Sequence, residues 1–397
     1  MQQILKKHFG FDTFLSLQED IISHVLERRD ALVLLPTGGG KSLCYQLPAL
    51  IFSGITIVVS PLISLMKDQV AGLIESAIPA VYLNSSLGAK EEREVWARLA
   101  SREVKLLYVA PERIMKPEFI DFLSSLSIGL IAVDEAHCIS DWGHDFRPEY
   151  RKLATLREFF RDVPIVALTA TATQKVREDI VRQLNFKNHR VFLGSFNRTN
   201  LIYQVRPKTE AISQIINYIE DHPGQSGIVY CVSRASAERL AEHLRSDGIE
   251  ALPYHAGLPQ KERTLNQEAF MKGKAQVITA TIAFGMGINK PDIRFVIHYD
   301  IPKNLEGYYQ ETGRAGRDGF PAECILFFSY SDKIKHEYFI RQTKDAHRRA
   351  VAKMQLDTMI SYCTSSLCRR KLLLNHFGED VKKSNCGMCD ICFETRE

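Results

Sequence analysis

The sequence lacks any apolar run approaching the roughly 18 residues that a membrane-spanning helix needs. Its first residues, MQQILKKHFG, lack the apolar h-region of a signal peptide. A cytoplasmic protein with no membrane partner is therefore expected. A large excess of one charge is also missing: 51 basic residues face 47 acidic ones, a formal net charge of +4. That balance permits a polyanionic partner without requiring one, so any basic footprint must be local. Low-complexity tracts are absent. Tryptophan is scarce, with two residues in the chain, so the place of each is informative.

One of the two stands in Ala136 to Tyr150, AHCISDWGHDFRPEY, which has the period of neither a helix nor a strand. Trp142, Phe146, Arg147 and several carboxylates crowd a stretch that glycine and proline interrupt. A loop is expected there, and an exposed loop so rich in aromatic and charged groups needs a reason. The cysteines raise a second question. Cys44, Cys138, Cys231 and Cys324 are scattered through apolar segments and read as reduced core residues. Cys363, Cys368, Cys386, Cys389 and Cys392 crowd the C-terminal end instead.

What is present in quantity is apolar. At 397 residues and 45% hydrophobic, the chain can bury more than one core. Short β-rich runs alternate with helical patterns: Ala31 to Leu35, Ile55 to Val59, Lys105 to Val109, Gly129 to Val133 and Pro164 to Leu168 read as buried parallel strands. The pattern restarts at Gly227 to Cys231, Gln276 to Ala280, Arg294 to His298 and Glu323 to Phe327. Two tandem α/β domains follow, of residues 1–200 and 201–335, joined near Asn197 to Lys208. A charged helical domain over 336–397 carries the cysteine cluster.

The first strand runs directly into Pro36-Thr37-Gly38-Gly39-Gly40-Lys41-Ser42 and then a helical segment. Strand, glycine-rich loop, lysine, hydroxyl and helix are the context of a phosphate-binding loop. Amides of Thr37 to Lys41 would face the β-phosphate, Lys41 would reach the β/γ oxygens, and Ser42 would ligate Mg²⁺. The strict pattern wants glycine where Leu35 stands. Asp134 and Glu135 follow the strand Leu130 to Val133, where open α/β sheets bind ligands. An acidic pair there is often only a helix cap. Beside a phosphate loop it reads as the second half of an NTPase site, with Asp134 on Mg²⁺ through water and Glu135 deprotonating the attacking water. In the second domain Arg314 and Arg317 stand three apart in YQETGRAGRDG, on one face of a predicted helical turn. A cation of this kind neutralises charge that develops on a transferring γ-phosphate.

PTGGGKS, VVSPLISLMKDQV, DEAH, LTATAT, TIAFGMGINKPDIR and YYQETGRAGRDG fall in this order. They resemble the ordered motifs of superfamily 2 helicases, and in particular the RecQ family of DNA helicases. The resemblance runs from about Phe9 to Cys392. It implies two RecA-like domains and an ATP-driven motor that moves 3′ to 5′ on single-stranded DNA and unwinds duplex or branched DNA, forked or tailed, in recombination and repair. In a bacterium it implies association with the nucleoid. It places Lys41, Asp134, Glu135 and His137 on one side of the bound ATP and Gln310, Arg314 and Arg317 on the other. The loop quoted above resembles the family's aromatic-rich loop, so Trp142, His144, Phe146 and Arg147 are expected to couple DNA to hydrolysis. Bases stack on such rings with little sequence preference.

By the same resemblance FDTFLSLQ, Phe11 to Gln18, holds adenine, with Phe11 on the ring and Gln18 on its edge. Family members usually carry arginine-proline-glycine before the glutamine; here Leu15-Ser16-Leu17 stands instead. A cationic contact is expected to be missing there. In the tail, Cys386, Cys389 and Cys392 with Cys368 upstream supply four thiolates for Zn²⁺, and the pattern resembles the family's zinc-binding domain. Cys363 competes for the fourth place. The chain stops soon after Cys392, so winged-helix and HRDC domains found in many members are expected to be absent.

Overall fold

The computed structural model describes residues 1–285, 288, 290–382 and 385–394. Of the quoted stretch Thr281 to Arg294, Met286, Gly287 and Asn289 lie outside the described residues. The chain divides into two compact units, Met1–Phe196 and Asn197–Glu397. No helix among the described residues is long and apolar enough to cross a membrane.

The first unit is built on β1 (Ala31–Leu34), β2 (Ile55–Val59), β3 (Ala80–Leu83), β4 (Leu106–Val109), β5 (Ile128–Val133), β6 (Ile165–Thr169) and β7 (Arg190–Leu193). They form one parallel sheet in the order β3-β4-β2-β5-β6-β1-β7. Helices on both faces bury the central strands completely, which is why β1, β2, β4, β5 and β6 read as unbroken apolar runs. One buried carboxylate ties the entry side of the sheet together. Asp30 accepts from the Ile165 amide (2.8 Å), the Lys187 amide (2.7 Å) and Arg157 Nη2 (2.7 Å). Its charge is thereby met on every side, as burial demands.

The second unit holds β8 (Leu201–Pro207), β9 (Ser226–Tyr230), β10 (Ala251–Tyr254), β11 (Val277–Ala280), β12 (Ile293–His298) and β13 (Ala322–Phe328). They too are parallel, in the order β10-β11-β9-β12-β13-β8. The tail helices Tyr330–Arg341, Ala346–Thr364 and Arg369–His376 follow. Leu356, Met359, Tyr362, Cys363 and Leu373 of these helices share one apolar cluster with Leu201, Tyr203, Tyr308 and Cys324.

Every strand read from the sequence is present, with ends within a residue of those expected. Four were missed. The stretch expected as a join between domains contains β8, an edge strand whose Leu201 and Tyr203 are buried while Ile202 and Gln204 are only partly so. Its polar flanks, NRTN and RPK, masked that period of two. β3, β7 and β10 are edge strands too, and their partial exposure leaves no continuous buried run for the sequence to show.

Candidate functional site

β1 leads through Leu35 and Pro36 into the glycine-rich turn, and the helix Leu43–Ile51 begins behind it with Ser42 as N-cap. Leu35, where the strict pattern wants glycine, is buried and packs into the core of the first unit. Gly38 and Gly40 have φ of +83° and +70°, a region that side-chain-bearing residues resist. Gly40 has a second reason to be glycine, since a Cβ there would collide with Gln18 Nε2. Lys41 Nζ donates to the carbonyls of Leu35 (3.3 Å) and Pro36 (3.5 Å).

Asp134 and Glu135 leave the carboxyl end of β5. The Asp134 amide bonds the Val59 carbonyl (2.9 Å), and its Oδ1 accepts from the Glu135 amide (2.9 Å). Glu135 turns sharply, with φ +47° and ψ +46°, a left-handed conformation that costs a non-glycine residue roughly 1–2 kcal/mol. Burial pushes the Asp134 carboxyl up to about 7; the neighbouring Glu135 charge adds to this and Lys41 opposes it. Burial acts on Glu135 in the same sense, but the His137 hydrogen bond and charge, with Lys41 and His144, hold it down at about 2. His137 and Lys41 thus favour the ionised form of Glu135, while burial works against ionisation of Asp134. His137 Nδ1 lies 2.9 Å from Thr169 Oγ1 and 3.3 Å from Glu135 Oε2. The ends of β5 and β6 therefore meet at one imidazole.

Behind the short 3₁₀ helix Ala136–Ile139, residues 140–147 run as an irregular loop, which Gly143 interrupts and Pro148 closes at the start of the helix Pro148–Arg151. His144 stacks on His137, with ring centroids 4.2 Å apart and planes 19° from parallel. Arg147 donates from Nε (3.1 Å) and Nη2 (2.9 Å) to Asp145 Oδ2 and from Nη1 (3.1 Å) to the Pro61 carbonyl. It pairs with a carboxylate, one of the two partners expected for it. Phe146 lies under the Arg151 guanidinium, 5.4 Å from the ring centroid. Trp142 carries the Lys175 ammonium 2.9 Å from its ring centroid. Lys175 has no signal in the sequence, because it stands beyond β6 on the helix Gln174–Gln183.

Phe11 is exposed and Gln18 buried. Gln18 Nε2 donates to the Gly40 carbonyl (3.1 Å) and its Oε1 accepts from the Leu15 amide (2.8 Å). Half of its hydrogen-bonding capacity is thus spent on the phosphate loop and its own segment. Leu17, where the family usually has glycine, has φ +67°. The backbone keeps a glycine-like conformation without the glycine.

In the second unit the helix Leu305–Thr312 ends at Thr312. Arg314 and Arg317 therefore fall in the turns beyond it, not on a helix face, and Gly316 between them, at φ +55°, bars a continuous helix. Gln310 sits in the last turn of that helix, and its neighbour Glu311 is buried against His298 Nε2 at 2.8 Å. Arg314 donates to the Gly285 carbonyl, and Arg317 Nη1 donates to that of Ile288 at 2.6 Å. Burial and then the charges of Arg314 and Arg198 push the Arg317 pKa down to about 10. Such a cluster of like charges gains from an anion.

The sulfurs of Cys368, Cys386, Cys389 and Cys392 all lie within 4.8 Å of one another. Cys386 Sγ accepts from the Met388 amide and Cys392 Sγ from the Cys386 amide, both at 3.3 Å. Cys363 is outside this group, buried in the helix Ala346–Thr364, where burial pushes its thiol up to about 12.

Two parallel-sheet units in tandem, the first with a phosphate loop and an acidic pair at its strand ends, define the RecA-like helicase fold. Solved structures agree on the fold. The likeness to S. cerevisiae Dbp5 bound to RNA and ADP BeF3 has a TM-score of 0.66 at 17% identity, over 90% of this chain and 97% of that one. The DUF1998 helicase MrfA bound to DNA gives 0.68 at 16%, over 94% of this chain and 54% of that one. Family matches are DEAD/DEAH box helicase over residues 15–180, helicase conserved C-terminal domain over 207–319 and RecQ zinc-binding over 330–393. The ATP-dependent DNA helicase RecQ of Pasteurella multocida is 47% identical over 98% of this chain and 62% of its own length. That of Bacillus subtilis is 43% identical over 100% of this chain and 67% of its own. The chain belongs to the RecQ family. It spans somewhat under two thirds of the length of the Pasteurella relative.

Proposed function

We propose that this chain is an ATP-dependent DNA helicase that moves along single-stranded DNA, 3′ to 5′, and opens forked or tailed duplexes in recombination and repair. The observation that carries this reading is the run Glu135, His137, His144: a carboxylate at a phosphate-loop site joined through one ring stack to an aromatic loop. Lys41 and the loop amides hold the β- and γ-phosphates. Ser42 and Asp134 offer oxygen donors that suit a hard cation, and Mg²⁺ held there would offset phosphate charge. Glu135, held ionised by His137, takes the proton of the attacking water. Arg314 and Arg317 meet the charge developing on the γ-phosphate. Gln18 favours adenine through its remaining donor and acceptor, and Phe11 offers a face for stacking.

Trp142 and Phe146 stack bases, and Arg147 exchanges Asp145 for a DNA phosphate. That exchange moves the loop carrying His144, and with it the surroundings of Glu135. Four thiolates so close together fit one tetrahedral Zn²⁺, which would lock the cysteine loop in place. The opening of each base-pair step costs about 1.4 kcal/mol on average, within reach of one ATP. Strand displacement on a 3′-tailed duplex with ATP tests the reading; failure to displace the strand while ATP is hydrolysed would reduce it to a DNA-dependent ATPase.

A further inference from the structure

The turn that carries Arg314 and Arg317 contains Gly313, Gly316 and Gly319 and belongs to neither helix nor strand. Glycine-rich backbone of this kind is mobile unless its carbonyls are held. They are held from one side. Arg198 donates from Nη1 to the Gly313 carbonyl (3.2 Å) and from Nη2 to those of Ala315 (2.9 Å) and Gly316 (2.8 Å). Asn200 Nδ2 adds bonds to the carbonyls of Gly316 (2.9 Å) and Phe320 (2.8 Å). Gly316, at φ +55°, has no room for a Cβ beside that amide. The donors thus bracket both arginines of the turn.

The clamp is itself fixed. Arg370 donates to Asn197 Oδ1 (3.2 Å), the Thr199 carbonyl (3.4 Å) and the Leu201 carbonyl (2.6 Å), gripping the chain on both sides of Arg198. Arg370 stands two residues after Cys368 at the start of the helix Arg369–His376. The cysteine loop reaches the same strand, since the Tyr203 amide bonds the Met388 carbonyl (3.2 Å) and the Val205 amide bonds Asp390 Oδ2 (3.0 Å).

We propose that Arg198, seconded by Asn200, is a positioning residue for hydrolysis: its guanidinium sets the backbone of the arginine turn, and Arg370 anchors it to the four-cysteine cluster. The inference rests on the reading that Arg314 and Arg317 meet the γ-phosphate. A single guanidinium bonds three carbonyls in a fixed plane; lysine keeps the charge but not that geometry. Arg198→Lys therefore separates position from electrostatics.

The test is steady-state ATPase of the full chain with saturating single-stranded DNA, alongside melting temperature and DNA affinity. Arg198→Lys and Asn200→Ala should each lower kcat, the first by about tenfold or more. KM for ATP, DNA affinity and melting temperature should stay at wild-type values. Arg317→Ala, run beside them, should lower kcat by on the order of 10³. If Arg317→Ala turns over normally, the reading of the arginine turn fails and this inference with it. If Arg317→Ala is inactive but Arg198→Lys keeps wild-type kcat, the positioning role alone is overturned. A fall in kcat that comes only with a matching loss of melting temperature and DNA affinity overturns it as well.

Discussion

His144 lies flat against His137, 4.2 Å between ring centroids, while His137 touches the Glu135 carboxylate at 3.3 Å. A loop residue is thereby one ring away from the base assigned to hydrolysis. If the stack transmits the state of the loop, its planar surface matters more than its nitrogens. His144→Phe should keep most DNA stimulation of the ATPase, and His144→Ala should lose about tenfold, 1.4 kcal/mol of coupling. Equal loss in both variants would show that the ring nitrogens, not the stack, carry the effect.

Lys41 and Glu135 act on different steps. Lys41→Ala removes a phosphate contact and should weaken ATP binding as well as abolish turnover. Glu135→Gln keeps the shape of the side chain and should retain bound ATP without hydrolysing it. Nucleotide-binding titrations beside single-turnover rates distinguish the two. Wild-type turnover in Glu135→Gln would remove Glu135 as the base.

The cysteine cluster should hold one zinc. Cys386→Ser or Cys389→Ser should release the metal and yield unstable or insoluble protein, since zinc binding contributes on the order of 10–16 kcal/mol in small modules. Cys363→Ser should keep one equivalent, because that thiol is buried in a helix away from the other four. Metal analysis of purified wild type and variants gives the answer, and a folded wild type free of zinc would refute the assignment.

Both sheets were legible because parallel strands covered on two faces are continuous apolar runs, and Val33, Val58 and Ile131 have no polar neighbour to confuse the pattern. Edge strands were not, because β8 alternates and β7 is largely exposed. The phosphate loop, the acidic pair and the cysteine cluster lie within short local stretches, so spacing revealed them. Spacing alone puts Arg314 and Arg317 on one face of a helical turn, because it does not show that the helix ends at Thr312. Lys175 over Trp142, Gln18 against Gly40 and Arg198 under the turn were invisible, since each joins distant segments. The left-handed Leu17 was hidden for another reason: its residue type argues against the conformation it adopts.

The central claim is that DNA on the aromatic loop drives ATP hydrolysis. The most direct measurement is the ATPase rate of one Trp142→Ala preparation and of wild type, with and without single-stranded DNA, alongside their melting temperatures. Wild type should be strongly stimulated by DNA. Trp142→Ala should keep its basal rate and melting temperature, yet lose about tenfold or more in stimulation, with a smaller loss of DNA affinity because phosphate contacts carry most of the binding. Stimulation left intact in Trp142→Ala, or a basal rate that falls together with the melting temperature, would contradict the account.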